Sequence, residues 1–331
     1  MVTGSIATDH LMVFPGRFTD QLVADRLATV SLSFLVDELR IRRGGVAANI
    51  AFGMGCLGMS PLLLGAAGAD FAEYRDWLER HGVDTGPVHI SRTRHTARFV
   101  CTTDEAHNQI ASFYAGAMVE ARDLDLAAVA DRAGDLALVV VAPNDPEAMV
   151  RHTEQCRRHG FAFASDPSQQ LARMDGSAVR TLVDGAAYLF TNEYEASLLL
   201  RKTGWPAEEV LDRVGKWVTT RGRDGVRIEG RGFGTIEVPA APVGREADPT
   251  GGGDAFRAGF LWGLHAGLSL ERAAQAGCTL AAVALESVGT QEYSLERASF
   301  AGRVSRAYGA AAAGDIEARL RIRELSAPSA G

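Results

Sequence analysis

Residues 248 to 260 read Asp248-Pro249-Thr250-Gly251-Gly252-Gly253-Asp254-Ala255-Phe256-Arg257-Ala258-Gly259-Phe260. Three consecutive glycines lead into a carboxylate, and the apolar residues after it recur at helical spacing. The pattern predicts a Gly-rich turn and a helix with Asp254 in its first turn. Backbone N–H groups at such a turn form an anion site. A carboxylate there suits a base that deprotonates a hydroxyl attacking the anion, as in phosphoryl transfer, although an ordinary helix N-cap would look the same.

Two further motifs occur along the chain. Gly44-Gly45-Val46-Ala47-Ala48-Asn49-Ile50-Ala51 is a glycine pair followed by an Ala-rich helix, and Asn192-Glu193-Tyr194-Glu195 is an Asn-x-x-Glu motif. With residues 248–256, these motifs resemble, in the same order, the signatures of the ribokinase-like (PfkB) carbohydrate and nucleoside kinases. The resemblance covers about residues 1–310. Pro249 and Gly252 stand where the family usually has Thr and Ala.

The alternation of apolar strands and helices predicts a doubly wound α/β domain. The family resemblance implies the same class, a ribokinase-like three-layer sandwich with a small β-sheet lid, in one kinase domain over residues 1–331. The lid is expected in two pieces, about 11–43 and 90–118, and includes a hairpin of Thr96–Thr103 and Gln109–Tyr114. The Ala, Pro, Ser and Gly residues at about 326–331 predict a disordered tail.

Several polar residues follow strands that the sequence predicts. Met1–Thr8 is predicted as a buried strand with Asp9 at its carboxyl end, and Phe161–Ala164 as a strand that leads to Gln169 and Gln170. Ligands of open parallel sheets bind at this edge, so these side chains are expected to converge there. Ser31–Val36 is also predicted as a strand. The alternative is that each of these is a solvated turn residue, although the placement of Asp9 favours a functional role.

The resemblance assigns catalytic roles. It implies that Asp254 is the base and that the N–H groups of Gly251, Gly252 and Gly253 stabilise the phosphoryl group. It implies Mg²⁺ held by Asn192 and Glu195, largely through water, and K⁺ near Gly289-Thr290-Gln291. The residues it implies for ATP binding are Asn192, Thr220, Gly222, Gly225 and Gly253.

Sequence segments such as Thr3–Met12 and Asp166–Arg173 resemble those of the actinobacterial adenosine kinases of this family. The implied reaction is ATP-dependent phosphorylation of the 5'-hydroxyl of adenosine, giving AMP and ADP in purine salvage, by a homodimer joined through the lid. The resemblance implies that ribose is bound by Asp9, Gly45 and Asn49. It implies that the base is lined by Ser5, Ser33, Phe99, Phe113, Gln169 and Gln170.

Three alternatives remain at this stage. A sugar kinase of the same family would share every catalytic residue, and a non-enzymatic nucleoside-binding protein would keep the cleft without the chemistry. The third is an NAD oxidoreductase, because Gly53-Met54-Gly55-Cys56-Leu57-Gly58 matches the dinucleotide fingerprint. That fingerprint must open a helix, whereas these glycines end a segment predicted as helix from Val46 to Leu57, so they predict helix packing and a helix stop.

Composition excludes several classes of protein. The chain has 331 residues, a formal net charge of −7 and a pI near 5.7, which argues against nucleic-acid or anionic-membrane partners. Its four cysteines are far apart and its eight histidines form no zinc motif. No signal peptide and no apolar stretch long enough to span a membrane is present, so a cytoplasmic location is expected.

Overall fold

The computed structural model describes residues 1–22, 29, 31–134 and 136–322. The predicted disordered tail at about 326–331 lies outside the described residues. The strands are β1 (Val2–Thr3), β2 (Ala7–Val13), β3 (Glu38–Gly44), β4 (Leu63–Leu64), β5 (Ala66–Ala67), β6 (His89–Ile90), β7 (Ala97–Thr103), β8 (Gln109–Tyr114), β9 (Val139–Val141), β10 (Phe163–Ser165), β11 (Tyr188–Asn192), β12 (Lys216–Thr220), β13 (Val226–Glu229) and β14 (Ile236–Val238).

The helices are α1 (Phe18–Gln21), α2 (Val46–Cys56), α3 (Ala72–Arg80), α4 (Leu126–Ala133), α5 (Pro146–His159), α6 (Gly176–Val183), α7 (Glu193–Thr203), α8 (Ala207–Arg213), α9 (Gly252–His265), α10 (Leu270–Leu285), α11 (Arg297–Tyr308) and α12 (Ala310–Glu317). Short 3-10 helices span Ala69–Phe71, Gly116–Asp123, Ser168–Ala172 and Gly222–Asp224. No helix among these described residues combines the length and the apolar character that crossing a bilayer requires.

The main sheet has eight strands in the order β14-β13-β12-β11-β10-β9-β1-β4. The six strands from β12 to β4 run parallel, and β13 and β14 are antiparallel additions at one edge. Long connections through helices are what parallel neighbours require, and the chain supplies them in alternation with the strands. The predicted α/β class is confirmed.

Helices cover both faces of this sheet, and the strand sequences reflect it. In β9, Val139 and Val141 are buried in a core with α5, α6, α7 and α8, whereas Val140 is buried in a second core with α2, α9 and α10. Successive strand residues face opposite sides, so a strand between two apolar layers must be apolar throughout. The uninterrupted run Leu136–Ala142 follows from this arrangement.

The first predicted strand is wrong in its extent. The main sheet takes only Val2–Thr3, and after Gly4–Ile6 the chain enters β2 of a different sheet. A Cβ at Gly4 would lie 2.8 Å from the Cβ of Ala47, so the chain leaves the main sheet at a point pressed against α2. Asp9 therefore lies within a strand of the second sheet and not at the carboxyl end of β1.

The second sheet, called the small sheet below, has the order β3-β2-β7-β8. The predicted hairpin of residues 96–103 and 109–114 is confirmed as β7 and β8. The expected lid pieces, 11–43 and 90–118, contain β7 and β8, all of β3 except Gly44, and only the last three residues of β2, which begins at Ala7. Residues 23–28 and 30 of the first piece lie outside the described residues.

The predicted strand Ser31–Val36 is wrong, because this segment has no regular structure. Its Phe34 ring instead packs on the rings of Phe14 and Phe18, with centroid distances of 4.8 and 5.3 Å. The aromatic contacts anchor the segment without a strand ladder, which alternation of apolar residues alone cannot reveal.

The three glycines of the apparent dinucleotide motif serve the packing of α2. A Cβ at Gly55 would lie 2.1 Å from the carbonyl oxygen of His81, and one at Gly53 would lie 2.7 Å from the Cβ of Ala258 in α9. Gly58 has a φ of 92° just past the end of the helix. The expectation of close packing and a helix stop is confirmed.

Candidate active site

The glycine turn opens α9 as its sequence predicts. Gly251 is the N-cap residue with a φ of 82°, a conformation that glycine adopts without strain, and its missing Cβ leaves room for Thr290. The helix begins at Gly252, so Asp254 lies in its first turn and the first backbone N–H groups have no intrahelical partner. The turn is thus an anion site with a carboxylate beside it.

Asp254 is half-buried and contacts the second motif directly. Its Oδ2 accepts a hydrogen bond of 2.8 Å from Nδ2 of Asn49, in the first turns of α2. Burial raises the pKa of Asp254, while the charge of Arg257 and the Asn49 hydrogen bond act against that rise. The raised pKa brings the carboxylate closer to the range of a general base at neutral pH.

Arg257 forms a buried ion pair that the sequence motifs did not reveal. It lies one turn after Asp254, is 6% exposed, and its Nη2 lies 2.7 Å from Oδ1 of Asp166, which is fully buried after β10. Burial raises the pKa of Asp166 to about 7, against the opposing charge of Arg257. An arginine at helical spacing from Asp254, among apolar residues, was the available signal for a buried charge.

Asn192 and Glu195 form a reciprocal capping box at the start of α7. Asn192 Oδ1 accepts from the Glu195 N–H, and Glu195 Oε2 accepts from the Asn192 N–H, both at 2.8 Å. Ser168 donates to the other carboxylate oxygen at 3.3 Å. Glu195 is near enough to Arg257 to raise the pKa of that guanidinium, so the third motif adjoins the Asp254 helix.

A cavity of about 690 Å³ lies beside the glycine turn. Its walls include the predicted Thr220, Gly222 and Gly225 as well as Gly252 and Gly253. The remainder is largely apolar, contributed by Ala241, Val243, Phe256, Cys278, Ala281, Ala282 and Leu285. Arg221 does not line this cavity, because it faces Glu237, with Nη1 3.2 Å from the carboxylate.

Asp9 lies in β2 of the small sheet, next to Gly44 and close enough to Asp248 for the two charges to interact. A Cβ at Gly44 would lie 2.9 Å from its Oδ2, and Phe99 is its partner in the register of β2 and β7. Burial, followed by the charge of Asp248, raises the pKa of Asp9 to about 6. Phe113 is paired with Phe99 across β7 and β8. Residues opposite one another in a sheet share a face, so Asp9 and both aromatic rings form one surface.

The raised pKa of Asp9 predicts a measurable effect on stability. The native carboxyl holds its proton up to about pH 6, whereas the unfolded one loses it near pH 4, so the wild type loses stability progressively between about pH 4 and pH 6 and the loss is complete above that range. We expect Asp9→Asn to escape this loss, with a free energy of unfolding about 1–3 kcal/mol above wild type at pH 7.5. At pH 4 the two proteins should be nearly equal. Urea denaturation at both pH values checks this, and an equal difference at both would contradict it.

The remaining predicted residues are placed as follows. Ser5 Oγ accepts a hydrogen bond of 3.0 Å from the Val46 N–H, so it caps α2. Gly45 has a φ of 93°, and a Cβ there would lie 2.6 Å from the Ala7 nitrogen. Gln169 and Gln170 lie in the 3-10 helix after β10, and the buried Oε1 of Gln170 has no partner. Ser33 is exposed in the irregular segment.

Across the residues that the structure describes, no cluster of three or more His, Cys, Asp or Glu side chains could hold a metal ion alone. The carboxylates of Asp166, Glu195 and Asp254 instead surround Arg257, and their charges act on it. Any divalent cation bound here would need further oxygen ligands from water or phosphates, as Mg²⁺ commonly has.

The model of the PfkB family of carbohydrate kinases matches residues 5–298, and the chain belongs to this family. The ribokinase-like fold class predicted from the sequence is confirmed by the solved structures that it resembles. One is the nucleoside kinase of Burkholderia thailandensis in complex with inosine, 36% identical, with 93% of this chain and 97% of that chain covered and a TM-score of 0.80. The same enzyme in complex with ADP-inosine gives a TM-score of 0.79 at 36% identity, with 93% and 95% covered.

A relative found by sequence comparison is also named a nucleoside kinase. The nucleoside kinase of Methanothermobacter thermautotrophicus is 31% identical over 287 residues, which is 86% of this chain and 91% of that protein. Relatives named ribokinase and inositol 3-kinase match over smaller parts of the chain. These comparisons establish the family of the chain. The chemistry of the phosphoryl acceptor depends on the residues of the site.

Proposed function

We propose that the protein phosphorylates the 5'-hydroxyl of a nucleoside with ATP, and that adenosine is its acceptor. The observation that carries this proposal is the position of Asp254. It follows directly after Gly252 and Gly253, which line the 690 Å³ cavity, and its carboxylate accepts a hydrogen bond from Asn49. A base at this place can serve a hydroxyl held near Asn49 while the phosphates lie against the turn.

In the proposed reaction, the 5'-oxygen attacks the γ-phosphorus of ATP as Asp254 accepts the hydroxyl proton. The bond between the γ-phosphorus and the β,γ-bridging oxygen breaks, and ADP leaves. N–H groups of Gly251, Gly252 and Gly253 stabilise the charge on the transferring group. The nucleotide lies in the cavity that Thr220, Gly222 and Gly225 help to line.

Mg²⁺ is proposed as the resident cation. Asn192 and Glu195 present oxygen atoms, the ligands that Mg²⁺ prefers, and would hold it largely through water. The ion would neutralise charge on the ATP phosphates. A K⁺ site near Gly289-Thr290-Gln291 also stays a prediction, as does the cytoplasmic location.

The proposed nucleoside lies between the small sheet and α2. Asp9, Gly45 and Asn49 would bind the ribose, and Phe99 and Phe113 would stack against the base. Gln170 supports a base that hydrogen-bonds, because its buried Oε1 has no partner among the residues that the structure describes. Gln169, Ser5 and Ser33 are the other proposed contacts to the base. A primary amide can pair with adenine or with hypoxanthine, so inosine, which the Burkholderia relative binds, is the closest competitor.

The test is initial-rate phosphorylation with Mg-ATP and a panel of acceptors: adenosine, inosine, guanosine, cytidine, ribose and fructose. We expect the highest kcat/KM with adenosine. A higher kcat/KM with another nucleoside would show that adenosine is not the preferred acceptor, and the proposed reaction would still stand. Turnover of free sugars alone would favour the sugar-kinase alternative, and no turnover with any acceptor would favour a nucleoside-binding protein.

Phe113→Ala should separate nucleosides from sugars. Its ring is about half-exposed next to Phe99, which leaves one face free for a base. Loss of one stacking partner costs about 1–2 kcal/mol, so the KM for adenosine should rise about 5- to 30-fold. The KM for ATP should not change, since Phe113 does not line the cavity beside the glycine turn. An unchanged KM for adenosine would remove Phe113 from the base site.

A homodimer joined through the small sheet is also proposed. The strand register places Leu39, Ile41 and Ile110 on the face opposite Asp9 and Phe99, and all three are about half-exposed. Contact with a second copy would cover these side chains. Sedimentation of the full chain tests this, and a monomer at micromolar concentration would contradict it.

A further inference from the structure

Three side chains, joined by four hydrogen bonds, connect a backbone carbonyl at the end of β3 to Asp254. The Tyr74 hydroxyl donates to the Gly44 carbonyl oxygen at 2.9 Å. Gln291 Nε2 donates to the Tyr74 oxygen and, at 2.8 Å, to Asn49 Oδ1. Asn49 Nδ2 then donates to Asp254 Oδ2. Tyr74, Gln291 and Asn49 are all buried, at 5%, 1% and 5% exposure.

The direction of each hydrogen bond is set at the backbone end. The Gly44 carbonyl can only accept, so the single proton of the Tyr74 hydroxyl is committed to it. The Tyr74 oxygen must then accept from Gln291, which presents its amide nitrogen. The two N–H bonds of Gln291 go to Tyr74 and Asn49. Asn49 therefore presents its oxygen to Gln291 and its nitrogen to Asp254.

The opposite orientation of these amides would be unfavourable. A flipped Gln291 would place Oε1 against two oxygen atoms in a buried site. Gln291 Oε1 has no hydrogen-bond partner where it lies, so the amide is held by its nitrogen alone. Thr290 Oγ1 lies 2.9 Å from both Asn49 Oδ1 and the Arg43 carbonyl oxygen and can donate its proton to either, so it is compatible with this orientation.

We propose that Tyr74 and Gln291 are positioning residues, which hold the Asn49 amide as a fixed donor to Oδ2 of Asp254 and so leave Oδ1 to receive the substrate proton. A proton on Asp254 Oδ2 would point at the Asn49 N–H, so that two donors faced each other. The contact therefore favours the ionised carboxylate until the substrate hydroxyl binds. The second N–H of Asn49 remains available for a ribose hydroxyl. The proposed function supplies the reaction, whereas the hydrogen-bond chain stands on the contacts above.

The kinetic test uses Tyr74→Phe and Gln291→Met, which remove the hydroxyl and the amide with little change in volume. We expect kcat to fall about 5- to 30-fold in each, because the loss of a correctly oriented donor costs about 1–2 kcal/mol. The acidic limb of the pH profile of kcat should move up by about 0.5–1 pH unit, since the Asn49 hydrogen bond lowers the pKa of Asp254. In an Asn49→Ala background, Gln291→Met should have no further effect on kcat.

Matched controls separate positioning from general destabilisation. Tyr293 is a buried tyrosine whose hydroxyl has no partner, so Tyr293→Phe should leave the pH profile unchanged. Gln275 is a buried glutamine bound to Arg272 and Glu271 on α10, and Gln275→Met tests the loss of a buried amide elsewhere. The proposal would be overturned if the control variants moved the acidic limb of the pH profile as far as Tyr74→Phe and Gln291→Met do. It would also be overturned if Tyr74→Phe and Gln291→Met lowered kcat and left the acidic limb in place.

A second readout does not depend on turnover. The ¹³C carboxyl resonance of Asp254, assigned by its loss in Asp254→Asn, gives the titration of this group directly. We expect its midpoint to rise by about 0.5–1 pH unit in Tyr74→Phe and in Gln291→Met. An unchanged midpoint in both overturns the positioning role. If the wild type phosphorylates no nucleoside, the proposed function fails while this titration still decides the role of Tyr74 and Gln291.

Discussion

Asp254→Asn is expected to lower kcat about 10²- to 10⁴-fold, the usual range for the loss of a general base. Asparagine keeps the shape of the side chain and can still contact Asn49, but it cannot take a proton. The KM for the nucleoside should change little, because the proposed ribose contacts lie on Asp9, Gly45 and Asn49. Steady-state kinetics at saturating ATP measure the effect.

Glu271→Gln is a suitable control for this substitution. Glu271 is an exposed acid in the first turn of α10, the helix packed beside α9, so the substitution removes a comparable charge from a comparable position. It should leave kcat near the wild-type value. If Asp254→Asn retains near wild-type turnover, Asp254 is not the base, and the carboxylate would then serve only to begin α9.

Arg257→Met is expected to lower the free energy of unfolding by about 3–5 kcal/mol at pH 8, because it leaves the carboxylate of Asp166 buried without its cation. The loss should be smaller at pH 5. Burial already raises the pKa of Asp166 to about 7, so below that pH the acid is protonated and needs no counter-charge. Urea denaturation at both pH values measures the two losses.

Two comparison variants show whether the ion pair itself is responsible. Arg213→Met breaks a pair on the surface, where Arg213 contacts Glu209 and Asp184, and should cost no more than about 1 kcal/mol. Asp166→Asn combined with Arg257→Met removes both charges and should be more stable than Arg257→Met alone. A double variant as unstable as the single one would mean that lost packing, and not the stranded charge, causes the effect.

The sequence predicted those parts of the fold that depend on local patterns. The bounds of α5, Pro146–His159, depend on such patterns, since its first-turn proline, its N-cap Asp145 and its C-cap Gly160 are all local signals. The glycine turn with Asp254 in the first turn of a helix was predicted for the same reason. Local signals could not show that Met1–Thr8 is divided between two sheets, because that division depends on the contact of Gly4 with Ala47.

The residues of the candidate site also divide into those with local sequence signals and those without. Asp254, Asn49 and the Asn192–Glu195 pair were found because they lie in short motifs with defined spacing. Asp166 and Arg257 are far apart in sequence, and only the fold brings their charges within 2.7 Å. Tyr74 and Gln291 are likewise far apart in sequence, and neither lies in a motif from which their contact could be predicted.

The place of β1 in the main sheet has a consequence for synthesis of the chain. Val2–Thr3 lie between β4 and β9, and their partner Val140 belongs to a part of the chain made much later. At about 5–20 residues per second, a ribosome needs roughly 7–30 s to make the chain from Val2 to that partner. Until then the apolar start of the chain has no neighbour on that side, so the nascent polypeptide is expected to depend on chaperones during this interval.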